Sequence, residues 1–291
     1  MNKFLTFIFL VPVCAFAQQE TPINQFWNNY AMLNPSMTGA LNKHTASAMY
    51  RNQWSELDPP LQGIYGFYNT RLGTHHGVGI SGESLRINFS QRSMISAQYS
   101  YQIQLKKRRQ FNIGIAPTYG SYAIDGDWIS PQGVDDPAIP INGRNNHFLI
   151  HSGLSFTSSF ADFGLSVRNI PLISDADNDY NFAPHYYGHL TLKLDIGSRS
   201  NANNDYKLYL DFLGASDAVM SVFQANARLI LFEKLNLFAG YRTSNGLLVG
   251  TGWEIKKRWR TTYSMQVTKT DAFDSSLLTH EFSLLFKIDH E

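Results

Sequence analysis

Cysteine is almost absent from the 291 residues: the one copy, Cys14, lies in the short apolar leader MNKFLTFIFLVPVCAFA. Lys3, the apolar stretch behind it and the small-residue pattern Ala15-Phe16-Ala17 predict a signal peptide over residues 1–17, cleaved before Gln18. Pro12-Val13 disfavours the alternative of a lipid-modified Cys14, because the residue ahead of such a cysteine should be small. A mature chain without cysteine excludes a disulfide-stapled scaffold, a thiolate metal site and a cysteine nucleophile. Long hydrophobic runs are missing after the leader, whereas a membrane-spanning helix needs about 20 apolar residues. If the chain enters a membrane, a closed β-barrel is the architecture left, since it too satisfies every backbone group in lipid. A dominant charge is lacking as well. Removing Lys3 with the leader leaves 23 basic residues against 23 acidic ones, without the basic footprint of a nucleic-acid binder.

What the chain has is aromatic residues, 14% of the total, with Ser, Thr, Asn and Gln between them. Such alternation suits strands with one face in lipid and the other in a polar lumen. It equally suits a soluble β-sandwich, so periodicity alone leaves both open. Alternating segments bounded by turn residues predict fourteen strands: 44–54, 60–70, 76–88, 91–104, 109–120, 148–158, 161–169, 186–196, 206–213, 218–231, 235–243, 246–255, 259–268 and 278–288. The expected fold is all-β, a transmembrane outer-membrane β-barrel of antiparallel strands over residues 44–291. If strand 1 runs outward, the long connections 121–147, 170–185 and 269–277 all leave one end. The tight basic connections Lys106-Lys107-Arg108-Arg109 and Lys256-Lys257-Arg258 leave the other, which is the short-turn, long-loop asymmetry of outer-membrane barrels.

Residues 18–43 form a lead-in without clean alternation, and it holds Asn34-Pro35-Ser36-Met37-Thr38-Gly39. Pro35 fixes its own φ and biases Asn34 away from helix, while Gly39 supplies a turn geometry closed to other residues. An extended segment with a fixed bend is expected, either packed in the barrel or trailing in the periplasm.

Several blocks together resemble a known family. Gln25-Phe26-Trp27, Asn34 to Gly39, Tyr50-Arg51-Asn52-Gln53-Trp54 and Gln62 open the pattern. Gly77-Val78-Gly79, Tyr99, Phe163 to Asn169, Gly240-Tyr241-Arg242 and Thr279-His280-Glu281 continue it almost to the end. In order and spacing they are similar to the PorP/SprF outer-membrane proteins of the type IX secretion system and gliding motility of Bacteroidota. Trp27 stands where Tyr is usual, and Thr279 where Ser is usual. The resemblance implies a non-enzymatic barrel in outer-membrane lipid, working beside secretion or gliding components and in some members with a secreted surface adhesin. It implies no cofactor and no nucleic acid.

Alternation puts Tyr50 and Trp54 on one face of the first strand and Arg51 and Gln53 on the other. An arginine in the lipid belt is costly, so Arg51 is expected to point inward and to pair with Glu281 or with the Asn34–Gly39 bend. Arg168 and Arg242, each in an apolar or aromatic strand, are expected in a shared lumen network, because buried charges must be paired. His280-Glu281 invites a hydrolase reading, but neighbouring strand residues point to opposite faces and no nucleophile motif accompanies them. Asp125, Asp127, Asp135 and Asp136 lie in a Gly-rich connection without the calcium-loop pattern, and His75-His76 has no third ligand. Asp125, Asp127, Trp128 and Ile129 instead form a candidate partner-contact loop, since exposed aromatics anchor interfaces.

Overall fold

The computed structural model describes residues 23–106, 109–124, 144–174, 182–196, 206–217, 220–243, 246–269 and 276–289. Fourteen strands follow one another: β1 (His44–Gln53), β2 (Leu61–Leu72), β3 (His76–Ile87), β4 (Ser90–Leu105), β5 (Arg109–Ile124), β6 (Arg144–Thr157) and β7 (Ala161–Ser174), then β8 (His185–Asp195), β9 (Tyr206–Ser216), β10 (Ser221–Leu231), β11 (Leu235–Arg242), β12 (Gly246–Ile255), β13 (Trp259–Thr268) and β14 (Leu277–Ile288). Each is antiparallel to its sequence neighbour, and β1 pairs with β14 from His44↔Ile288 to Gln53↔Thr279, so the sheet has no free edge. That closure removes the soluble β-sandwich from consideration, because a sandwich keeps two sheets with edges.

The strands wear their apolar side chains outside. On β4, Ile95, Tyr99, Tyr101 and Ile103 are exposed, while the alternating Ser96, Gln98, Ser100 and Gln102 are buried in the lumen. In water this arrangement would be inside out; in a bilayer it is the stable one. Histidine–tyrosine pairs decorate the outer surface, His44 Nδ1 with the Tyr68 hydroxyl at 3.1 Å and His76 Nδ1 with the Tyr99 hydroxyl at 2.8 Å. Such amphipathic rings suit the water–lipid boundary.

Loop lengths divide by barrel end. After β2, β4, β6, β10 and β12 the chain turns within three residues, at 73–75, 106–108, 158–160, 232–234 and 256–258. Only the 196–205 connection breaks the pattern at that end. The opposite end carries the long 125–143, 175–184 and 269–276 connections, together with short ones at 88–89, 217–220 and 243–245. The first of these is shorter than the sequence suggested, because β5 runs on to Ile124 and β6 starts at Arg144.

The core lies inside the barrel, around the lead-in. Phe26, Trp27, Tyr30, Leu33 and Met37 pack against Met49, Tyr65, Phe67, Phe238 and Leu285 of the wall. Each such burial is worth about 1.5–3 kcal/mol. Among the described residues no helix is long and apolar enough to cross a membrane; the lead-in's helical pieces, Tyr30–Leu33 and two three-residue 3-10 turns, are plug, not span.

Candidate functional site

The lead-in makes a circuit of the inner wall. Gln25 and Asn28 meet β13 and β14, with Gln25 Nε2 donating to Ser264 Oγ at 3.0 Å and Asn28 Nδ2 to Thr262 Oγ1 at 3.2 Å. Trp27 sets its ring edge-on to Phe238 of β11, centroids 4.9 Å apart. Tyr30 bonds through its hydroxyl to Thr191 of β8, and Thr191 donates onward to Asp211 Oδ1 of β9 at 2.7 Å. Asn34 reaches β6 and β7, Thr38 accepts at its carbonyl from Ser100 Oγ of β4 at 2.7 Å, and Gly39 donates to Asn69 of β2 at 3.2 Å.

The bend owes its shape to three residues. Asn34 Oδ1 caps the following turn by accepting from Ser36 N at 3.0 Å and Ser36 Oγ at 2.7 Å, and Pro35 sits at the first helical position, where no N–H is needed. The Asn34 amide group donates to the Leu154 and Leu165 carbonyls at 3.0 and 3.2 Å, so one side chain ties β6 to β7. Gly39 turns the chain with φ +64°. Arg71 then holds the exit, donating to the Gly39 and Ala40 carbonyls at 2.9 Å each.

Glycine makes the room. A Cβ on Gly114 of β5 would stand 2.2 Å from Ser36 N, and one on Gly153 of β6 would stand 2.1 Å from Asn34 Oδ1. The wall is stripped of side chains where the bend presses on it.

Arg51 points inward and pairs with Glu281, both side chains almost wholly buried. Glu281 also accepts the backbone N–H groups of Asn24 at 2.7 Å and Gln25 at 3.1 Å, so one carboxylate joins β1, β14 and the lead-in. Gln53 accepts from Arg51 Nε and Nη2 at 3.2 and 3.1 Å, and Asn24 Oδ1 takes Nη1 at 3.2 Å. A buried ion pair is tolerable when its remaining lone pairs and protons are used in this way. His280 points outward and meets the Tyr263 hydroxyl at 2.8 Å, so no His–Glu pair is formed.

Tyr50 lies on the outer face, 41% exposed. Trp54 corrects the sequence reading: it stands one residue beyond β1 with φ +57°, so it leaves the strand and does not share its face with Tyr50. Arg168 and Arg242 also depart from expectation, since they serve separate clusters. Arg168 donates to Glu83 Oε2 of β3 at 2.9 Å, and Arg92 stands 3.6 Å from the other oxygen. Arg242 bonds to two neutral side chains, Gln224 Oε1 at 2.5 Å and Gln266 Oε1 at 2.7 Å, and Gln224 in turn donates to the Asn24 carbonyl at 2.8 Å. Arg242 is thereby linked to the Arg51–Glu281 cluster through the lead-in. Asp125, Asp127, Trp128 and Ile129, like the leader, lie outside the described residues.

Sequence reasoning missed the pair Arg228–Asp211, bidentate at 2.9 and 3.0 Å, and the buried Phe182. Arg228 stacks between Trp27 and Tyr209, its guanidinium carbon 5.0 and 4.6 Å from their ring centroids. Strand parity could have found this pair, because Arg228 and Asp211 fall on the inward positions of their strands. Phe182, from the β7–β8 connection, packs with Met94 and Leu149 in a cluster separate from the one around the lead-in. Among the described residues no group of three or more His, Cys, Asp and Glu could hold a metal ion.

Fold and site together define an integral outer-membrane β-barrel whose lumen is filled by its own N-terminal segment. Residues 15–286 match the family of type IX secretion system membrane proteins PorP/SprF, and the chain belongs to that family. It is therefore an outer-membrane β-barrel protein of a non-catalytic family linked to type IX secretion and gliding. No curated protein matches the sequence. Solved structures share the barrel at low identity. The CymD monoaromatic hydrocarbon channel aligns at TM-score 0.58 and 10% identity over 89% of this chain and 92% of that one. The P. putida toluene transporter TodX aligns at 0.46 and 11% over 90% and 95%, and the KdgM porin at 0.41 and 8% over 84% and 99%.

Proposed function

We propose that the protein, after cleavage of residues 1–17, is a non-conducting scaffold that supports secretion or surface attachment of partner proteins such as adhesins by the type IX machinery. Its short turns face the periplasm and envelope components, and its long connections face outward and hold or guide the surface protein. The observation that carries this reading is the lumen itself. A segment hydrogen-bonded to β2, β4, β6, β7, β8, β13 and β14, and sealed by the buried Arg51–Glu281 pair, suits a fixed plug better than a solute path.

Arg51, Gln53, Glu281, Asn34, Pro35 and Gly39 act in this reading as the clasp that keeps the plug seated, and Arg168 and Arg242 brace it from the wall. The test compares surface and secreted proteomes of a clean deletion strain with its complemented parent, with intracellular and periplasmic levels in parallel. Loss of one large adhesin identifies a dedicated attachment factor, and broad restorable loss identifies a core component. Unchanged cargo, with a reproducible conductance from the purified barrel in planar bilayers, would establish a passive channel instead.

A further inference from the structure

The plug leaves space at the short-turn mouth, where its last residues pass along the wall into β1. Below the plug lies a cavity of about 290 Å³ that opens toward that end, floored by Trp27, Asn28 and Tyr30. Lys193, Arg228, Arg260 and Lys287 line it from β8, β10, β13 and β14. All four occupy inward positions, facing the lumen rather than lipid.

Three acids answer them. Asp162 meets Lys193 at 2.7 Å, Asp211 takes Arg228, and Glu254 is shared between Arg260 at 2.9 Å and Lys287 at 2.7 Å. Arg71 on the same side bonds only to carbonyl oxygens, of Gly39, Ala40 and Gln110. The mouth thus keeps a surplus of positive charge.

The rim adds to it. The six connections at this end contain eight Lys and Arg residues against two acids, Asp205 and Glu233, whereas those at the other end contain twelve acids against Lys269 alone. Glu233 is already engaged: Lys257 beside it at 2.7 Å, then Lys207, hold its carboxyl below the usual carboxylate range.

We propose that this mouth is a docking site for an acidic protein segment, a loop or chain end rich in Asp and Glu that enters from the short-turn side and stops against the plug. The inference rests on the reading that places this end in the periplasm, and it names the chemistry of the partner there. Charge complementarity selects the occupant and speeds its encounter. Anionic lipid headgroups would reach the outer rim but not the inward Lys193, Arg260 and Lys287. The lead-in residues Trp27, Asn28 and Tyr30 stand across the cavity's inner side, which suits a chain end-on better than a threaded polymer.

The experiment uses the full mature protein in a neutral detergent and a fluorescein-labelled peptide of alternating Glu and Gly, read by anisotropy. Two variants are compared: Lys287→Gln, which leaves Glu254 its bond to Arg260, and the exposed-turn triple Lys256→Gln/Lys257→Gln/Arg258→Gln. The heat-sensitive gel shift reports that each barrel is folded. The expected result is saturable binding absent for a Lys-Gly peptide, weakened about tenfold by Lys287→Gln and less by the triple variant. No binding, equal binding by Lys287→Gln, or full displacement by phosphatidylglycerol in mixed micelles would overturn the proposal, the last assigning the rim to lipid. Each result is independent of cargo display, so failure here leaves the scaffold reading standing and is told apart from failure of that reading in the deletion strain.

Discussion

Glu281 is the carboxylate that joins three parts of the molecule. It binds Arg51 across the β1–β14 seam and receives two backbone N–H groups of the lead-in. Replacing it by Gln leaves the Arg51 guanidinium buried without a counter-charge, a loss of about 3–5 kcal/mol. Arg51→Gln should cost a similar amount, and the double variant should recover part of it, since two neutral amides can still hydrogen-bond. The midpoint of the heat-dependent gel shift, or urea unfolding in detergent, checks this; equal additive losses would show that the pair is not coupled. At this scale the sequence disclosed a good deal. Arg51 could be turned inward, and Glu281 named as its partner, because parity and the cost of charge in lipid leave few choices. Asp211 was within reach, since it and Arg228 hold inward positions of neighbouring strands, whereas Glu83 was not, because nothing local marks its cross-barrel partner Arg168.

At the scale of elements, the strands were legible and the lead-in was half legible. Alternation located all fourteen strands to within a few residues, because lipid on one side and polar lumen on the other enforce period two. The bend at Asn34–Gly39 was readable from proline and glycine, but whether it lay in the lumen or trailed free was not, since the wall that receives it comes from strands far along the chain. Trp54 was misplaced for a local reason: the chain leaves β1 through a positive φ at Trp54 itself, where strand alternation ends. The glycines of the wall supply the element-level test. Gly114→Val places a branched side chain where Ser36 now lies 2.2 Å from an added Cβ, and on β5 valine is otherwise a favoured strand residue. The barrel should still insert while the plug is displaced, so single-channel conductance should rise well above that of the parent. A silent channel with an unshifted thermal midpoint would mean that the wall yields and the plug stays.

For the whole molecule, the proposed function divides between two ends. Deleting residues 125–140 should impair display of cargo while leaving membrane insertion and the gel shift intact, as measured by surface proteomics against normal protein levels; unchanged display would remove this connection from partner handling. The circuit of the lead-in also bears on how such a molecule is made. The segment synthesised first is gripped by Glu281 on the strand synthesised last, and it lies within a ring that closes only when β1 meets β14. Assembly must therefore hold the start of the chain in waiting until its end arrives. A chain truncated before β14 has neither its seam nor the carboxylate that grips the lead-in, so the interior latch doubles as a check that the last strand has arrived.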